Sequence, residues 1–361
     1  MPSLTEAAVL DALRVVRDPD LHKDIVALGF VKNVRIDGGR VAFVVELTTP
    51  ACPVKELMRE QSRAAVRALP GVTDVDVEMT AQVRSAARPE AGRAPIEGVR
   101  NIIAVGAGKG GVGKTTVAVN LAVALARMGS RVGLLDGDMY GPNVPMMLGL
   151  SGGLETTDDN KIRPAEKHGV RVVSMGFLTQ EDAPIIWRGP MLHGAIQQFF
   201  RDARWGEIDY LIVDMPPGTG DVALSLSQTV PVAGAVLVST PQAVALADTR
   251  RAIKMYHKLN IPTLGLIENM SHFECPSCGH ESNLFGKGGG ETLATTMGVP
   301  FLGRVPLYEP VRRGGDAGVP IVIGEPDSPV ARAIVAAAER LAQQVSIAAF
   351  ARKPIPLTPV N

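Results

Sequence analysis

Three groups of residues in this chain have types and spacings that do chemistry. The first is Gly108-Lys109-Gly110-Gly111-Val112-Gly113-Lys114-Thr115, a G-x-x-x-x-G-K-T run. It lies between an apolar strand-like segment, Ile102–Val105, and a helical segment opening at Thr115 and Thr116. Glycines at these places let backbone N–H groups wrap phosphate oxygens, and a helix N-terminus adds positive potential. Lys114 then reaches the outer phosphates and the Thr115 hydroxyl coordinates magnesium. The expected ligands are ATP and Mg2+.

The second group is polar residues at strand ends. Leu134-Leu135-Asp136-Gly137-Asp138 and Leu211-Ile212-Val213-Asp214 each finish an apolar run. That puts Asp136, Asp138 and Asp214 at the C-terminal edge of a sheet, where α/β folds bind ligands. Asn269 ends another such run, and its amide can meet both an acceptor and a donor of adenine. On residue type alone, each is also a fair capping or turn residue.

The third group is Cys275-Pro276-Ser277-Cys278. Cys-x-x-Cys brings two thiolates to one soft metal. A redox disulfide needs a thioredoxin-like context, which is absent. A structural zinc needs four ligands, with only His272 and His280 nearby to help. A metal or cluster shared by two chains takes two thiolates from each. Spacing alone leaves zinc and iron–sulfur open. The third cysteine, Cys52, precedes an expected helix start, which lowers a thiol pKa and favours a reactive thiolate; a buried, inert thiol is the competing reading.

The elements that position these groups follow from periodicity. Residues 4–17 have helical apolar spacing, and Asp18-Pro19-Asp20 ends that helix. Phe30–Ile36 and Val41–Leu47 read as a hairpin around Asp37-Gly38-Gly39, followed by a helix over Pro53–Leu69 and a short strand at Val72–Val77. Residues 1–80 thus form a small α/β domain. Residues 81–97, rich in Ala, Arg and Pro, read as a linker. From Val99, short apolar runs alternate with helical segments: Ile102–Val105, Val132–Leu135, Val170–Ser174, Tyr210–Val213, Ala235–Ser239, Thr263–Glu268 and Phe301–Gly303. Such runs point to a mostly parallel sheet flanked by helices over residues 98–348. Ser328-Pro329 caps a last helix to about Val345, and residues 349–361 read as a frayed, proline-rich tail.

Bulk composition narrows the function classes. The 361 residues carry 37 basic and 37 acidic side chains, so nothing asks for nucleic acid or an anionic membrane. No run approaches the roughly 20 apolar residues of a membrane span, and the N-terminus is not a secretory signal. Three cysteines, two of them in one motif, fit a reducing cytoplasm rather than a disulfide framework.

Lys109, directly after the first glycine, makes the loop KGGVGKT. This resembles the deviant Walker A ATPases, whose first lysine crosses a dimer interface to the partner's nucleotide. The resemblance implies that Asp214 is the magnesium-holding Walker B aspartate, that Asp138 orients the attacking water and that Asp136 stands behind the magnesium. Residues 217–221 would be the switch that moves when the γ-phosphate leaves. The set GKGGVGKT, LLDGDMYGPNVP, IVDMPPGTGD and ENMSHFECPSCG is similar to the Mrp/ApbC branch, a P-loop NTPase group of iron–sulfur cluster carriers. That implies a homodimer holding a 4Fe–4S cluster through Cys275 and Cys278, and handing it to apo iron–sulfur client proteins alongside other cluster-assembly proteins. Residues 1–80 resemble the small iron–sulfur assembly domain seen alone in PaaD, through Asp18-Pro19-Asp20-Leu21 and Leu47-Thr48-Thr49-Pro50-Ala51-Cys52-Pro53; Cys52 is then a candidate transfer thiol. Competing classes are a ParA/MinD-type positioning ATPase, which predicts a basic surface or amphipathic tail, and an ATP-coupled electron-transfer protein, which predicts widely separated cysteine ligands.

Overall fold

The computed structural model describes residues 4–87, 93–138, 141–153, 155–159, 161–177, 189–218 and 221–351. It divides into two compact units, Met1–Arg84 with Ser346–Asn361, and Ser85–Val345.

The first unit begins with α1 (Glu6–Leu13), whose Thr5 hydroxyl accepts the Ala8 N–H as an N-cap. β1 (Val31–Asp37) and β2 (Arg40–Leu47) pair antiparallel and close at Gly38-Gly39, as the turn residues require. Helix α2 (Lys55–Arg67) crosses over to β3 (Asp74–Ala81), which runs parallel to β2. Val41, Phe43, Val45 and Leu47 alternate inward and meet Val9, Leu13, Met58, Val66, Val75 and Val77. β3 runs to Ala81, four residues past its expected end, because Thr80 and Ala81 still pair with Glu46 and Leu47. The end of the C-terminal helix also belongs to this unit. Phe350 meets Phe30 edge-on at 5.9 Å between ring centroids, with the Arg84 guanidinium 4.6 Å from the Phe350 ring. The helix therefore outlasts its expected stop near Val345, since an aromatic with a core partner continues it. Tail residues 352–361 lie outside the described residues.

The second unit runs, in chain order, β4 (Val99–Ala107), α3 (Lys114–Arg127), β5 (Val132–Asp136), α4 (Val144–Leu148), β6 (Glu155–Thr156), β7 (Ile162–Arg163), β8 (Ala165–Lys167), β9 (Val170–Ser174), α5 (Gly189–Asp202), β10 (Ile208–Asp214), α6 (Asp221–Thr229), β11 (Gly234–Ser239), α7 (Ala243–Lys258), β12 (Thr263–Glu274), β13 (Glu281–Ser282), α8 (Gly289–Met297), β14 (Phe301–Leu307), α9 (Glu309–Asp316), α10 (Ile321–Gly324) and α11 (Pro329–Phe350). The main sheet has the order β13-β12-β11-β4-β10-β5-β9-β8, with β14 also on β12. β9, β5, β10, β4, β11, β12 and β14 are parallel, and β8 and β13 are antiparallel edges. Every residue of β10 and β11 is buried, which is why both read as unbroken apolar runs. The Ser328 hydroxyl accepts the Ala331 N–H and caps α11 as expected.

Two further expectations change. The described part of the expected linker is not free: Ala86 and Ala87 are buried, and the Ala86 N–H donates to the Asn101 side chain at 2.7 Å. Asn101 sits fully buried on β4, so its amide needs partners and finds one in that segment. Asn269 does not end its strand: β12 continues to Glu274. Among the described residues no helix is long and apolar enough to cross a membrane.

Candidate functional site

The glycine-rich loop joins β4 to α3 at the C-terminal edge of the sheet. Gly111 and Gly113 take φ of 79° and 81°, a backbone form that glycine adopts without cost. A Cβ on Gly108 would fall 2.3 Å from the Asp248 carbonyl carbon of α7, so the loop's first residue rests directly on that helix. A Cβ on Gly113 would fall 2.3 Å from the Asn269 amide nitrogen. Val112 is buried and anchors the loop between these contacts.

The charged residues converge as expected. Lys114 Nζ donates to Asp214 at 2.7 Å and to the Thr115 hydroxyl at 3.1 Å, and lies 3.9 Å from Asp138. The Thr115 hydroxyl donates to the other Asp214 oxygen at 2.7 Å. Burial pushes the Asp214 carboxyl up, against the pull of Lys114. Asp136 is also wholly buried. It accepts from the Ser174 hydroxyl at 2.9 Å and from the Val144 N–H at 3.3 Å. Burial first, and then the charge of Asp214, push its carboxyl up to about 7. Among the described residues Lys109 has no hydrogen bond or ion pair, and it stands half-exposed on the loop. Thr116 and Asn269 line a cleft of about 390 Å³ beside the loop, walled by Met146, Met270, Pro306 and Tyr308. Asn269 donates to the Val112 carbonyl at 2.9 Å, so one of its amide hydrogens already holds the loop. Of the expected switch, Thr219 and Gly220 lie outside the described residues, and Pro217 is near enough that a Cβ on Gly110 would touch it at 3.8 Å.

The cysteine pair forms a knuckle between β12 and β13. The Cys275 N–H donates to the His280 carbonyl at 3.0 Å, and the Gly279 N–H donates to the Cys275 carbonyl at 2.8 Å. The Ser277 and Cys278 N–H groups point at the Cys275 sulfur and hold its thiol below the ordinary value. Cys275 is half-buried and Cys278 exposed. His272 meets the Ser271 hydroxyl at 3.0 Å, and His280 is exposed. Among the described residues no three His, Cys, Asp or Glu side chains gather as a metal site, so one chain offers this knuckle two thiolates. In the first unit, Cys52 is half-buried against the core, three residues before α2.

Residues 98–342 match the family model of the NUBPL iron-transfer P-loop NTPase, and residues 6–79 match that of the iron–sulfur cluster assembly protein. The chain belongs to the NUBPL iron-transfer P-loop NTPase family. It is 51% identical to a Synechocystis iron–sulfur cluster carrier protein over 96% of this chain and 99% of that one. It is 49% identical to the mouse iron–sulfur cluster transfer protein NUBPL over 70% of this chain and 79% of that one. Among solved structures it resembles an ADP-bound nucleotide-binding protein from Archaeoglobus fulgidus, with TM-score 0.56, 37% identity and coverage of 64% of this chain and 91% of that one.

Two buried polar residues beside these side chains were not singled out by sequence reasoning. Ser174 holds Asp136, yet a serine closing a Val-Arg-Val-Val run carries no signal. Glu268 is fully buried beside Asn269, where it accepts the Gly290 N–H at 2.5 Å and faces Arg304 at 3.5 Å. A glutamate at the end of an apolar run was the one available clue.

Proposed function

We propose that the chain is an ATP-binding and hydrolysing carrier that holds a 4Fe–4S cluster between two copies and hands it to apo-proteins. One observation carries the reading: an incomplete two-thiolate knuckle stands on the same sheet edge as a phosphate loop. Two such knuckles make the four thiolates that a 4Fe–4S cluster takes. The N–H groups around Cys275 favour the thiolate that binds iron.

Within this reading each residue has a task. Gly108, Gly110, Gly111, Val112 and Gly113 present backbone N–H groups to the phosphates, and Lys114 and Thr116 hold them. Thr115 and Asp214 hold magnesium, with Asp136 behind Asp214. Asp138 orients the attacking water. Lys109 reaches the partner's nucleotide, and the cleft beside Asn269 takes the adenine. Cys52 is a transfer thiol of the first unit, and a Cys52→Ala chain that delivers clusters at the normal rate excludes that role.

The main test is anaerobic reconstitution with iron and sulfide. The expected product is brown, with about four irons per two chains, and Cys275→Ser or Cys278→Ser leaves it colourless. A colourless wild-type protein carrying one zinc per two chains overturns the reading.

A further inference from the structure

β12 does more than carry Asn269. Two consecutive residues of this strand hold separate parts of the molecule. Asn269 grips the phosphate loop at the Val112 carbonyl, 2.9 Å away. Glu268, on the opposite face of the strand, grips the N-terminus of α8 through the Gly290 N–H at 2.5 Å. A Cβ on Gly290 would come within 3.0 Å of Glu268, so glycine permits the approach. The cysteine knuckle hangs between these points. It leaves β12 after Glu274, pairs back through Phe273↔Ser282 and Glu274↔Glu281, and runs into α8 at Gly289. One end of the knuckle thus continues the strand that holds Asn269 against the loop, and the other runs into the helix whose start Glu268 holds.

The strand also contains a break at the right place. Met270 has φ of 54°, a left-handed form that a side chain bears only where its surroundings impose it. The register against β14 shifts between Asn269 and Phe273. Asn269 and Cys275 are six residues apart, at most about 20 Å along an extended chain. Glu268 is fully buried and its Oε1 has no hydrogen bond, only Arg304 at 3.5 Å, a costly arrangement for a side chain with no task beyond packing.

We propose that Glu268 and Asn269 form the joint through which an occupied phosphate loop sets the position of the cysteine knuckle. Both are positioning residues. Phosphates in the loop displace the Val112 carbonyl, Asn269 follows it, and β12 turns about Met270. Glu268 carries the same displacement to α8, so the knuckle moves as one piece. The proposal rests on the reading that nucleotide binds at 108–115.

The test uses the full-length chain without iron. Each cysteine's alkylation rate by iodoacetamide is read by mass spectrometry, with and without a saturating non-hydrolysable ATP analogue and magnesium. Analogue binding is measured separately by fluorescence titration for every variant. The wild-type Cys278 rate is expected to change about fivefold or more on binding. Asn269→Asp and Glu268→Ala, saturated with analogue, bring that ratio to one, and Glu268→Gln, which keeps an acceptor for the Gly290 N–H, restores it. Should Glu268→Ala fail to fold, Asn269→Asp against Glu268→Gln decides. Saturated variants that keep the wild-type change overturn the joint, because nucleotide-driven association alone would leave the change in place. A wild-type chain that binds analogue with no change in thiol rate overturns the joint and leaves the nucleotide reading standing. A chain that binds no analogue overturns both.

Discussion

Lys114 and Thr115 both donate to Asp214. Magnesium alone must compete with a buried lysine for that carboxylate. Calorimetry is therefore expected to show no magnesium binding without nucleotide and tight binding with it, since phosphates draw Lys114 away. Gly113→Ala puts a Cβ 2.3 Å from the Asn269 nitrogen at φ 81°, and is expected to cost about 1–3 kcal/mol in thermal unfolding and to abolish analogue binding. Asp136 gives a pH signature. Its folded carboxyl titrates at about 7 against an ordinary 3.8. Between these values the folded chain holds more protons than the unfolded one, so stability falls as pH rises across that window and levels off above it. Melting curves across the window are expected to lose this slope in Asp136→Asn. The phosphate loop was legible because each fixed position has a backbone or charge reason. Ser174 was not, because the carboxylate it holds is distant in sequence and meets it only in three dimensions.

At the scale of elements, apolar runs in the sheet were read to within a few residues, since burial on both faces leaves a continuous signal. β12 exposes the limit of that signal. Its second half, Asn-Met-Ser-His-Phe-Glu, has no apolar period and yet stays a strand, because β14 and β13 pair with it. The strands between Glu155 and Lys167 were missed because they are short and polar. The helix end at Phe350 was missed for a related reason: its partners, the Phe30 ring and the Arg84 guanidinium, are distant in sequence. Phe350→Ala is expected to weaken the first unit by about 1–2 kcal/mol. Hydrogen exchange at Val41–Leu47 checks this, with faster exchange in the variant.

At the scale of the whole molecule, two family models match in tandem, so the chain joins an assembly domain to a nucleotide-binding carrier. Its zero net charge puts no long-range repulsion between copies, so the proposed association would rest on specific contacts. Lys109 is the contact the sequence nominates. Lys109→Ala is expected to stay monomeric with the ATP analogue in sedimentation, while wild type dimerises. If the cluster is shared between two copies as proposed, a knuckle that supplies half of its four thiolates has one more consequence. Its hold on cargo scales with the square of chain concentration, so simple dilution strips the iron. The amount of protein made then becomes a control on delivery, separate from any nucleotide.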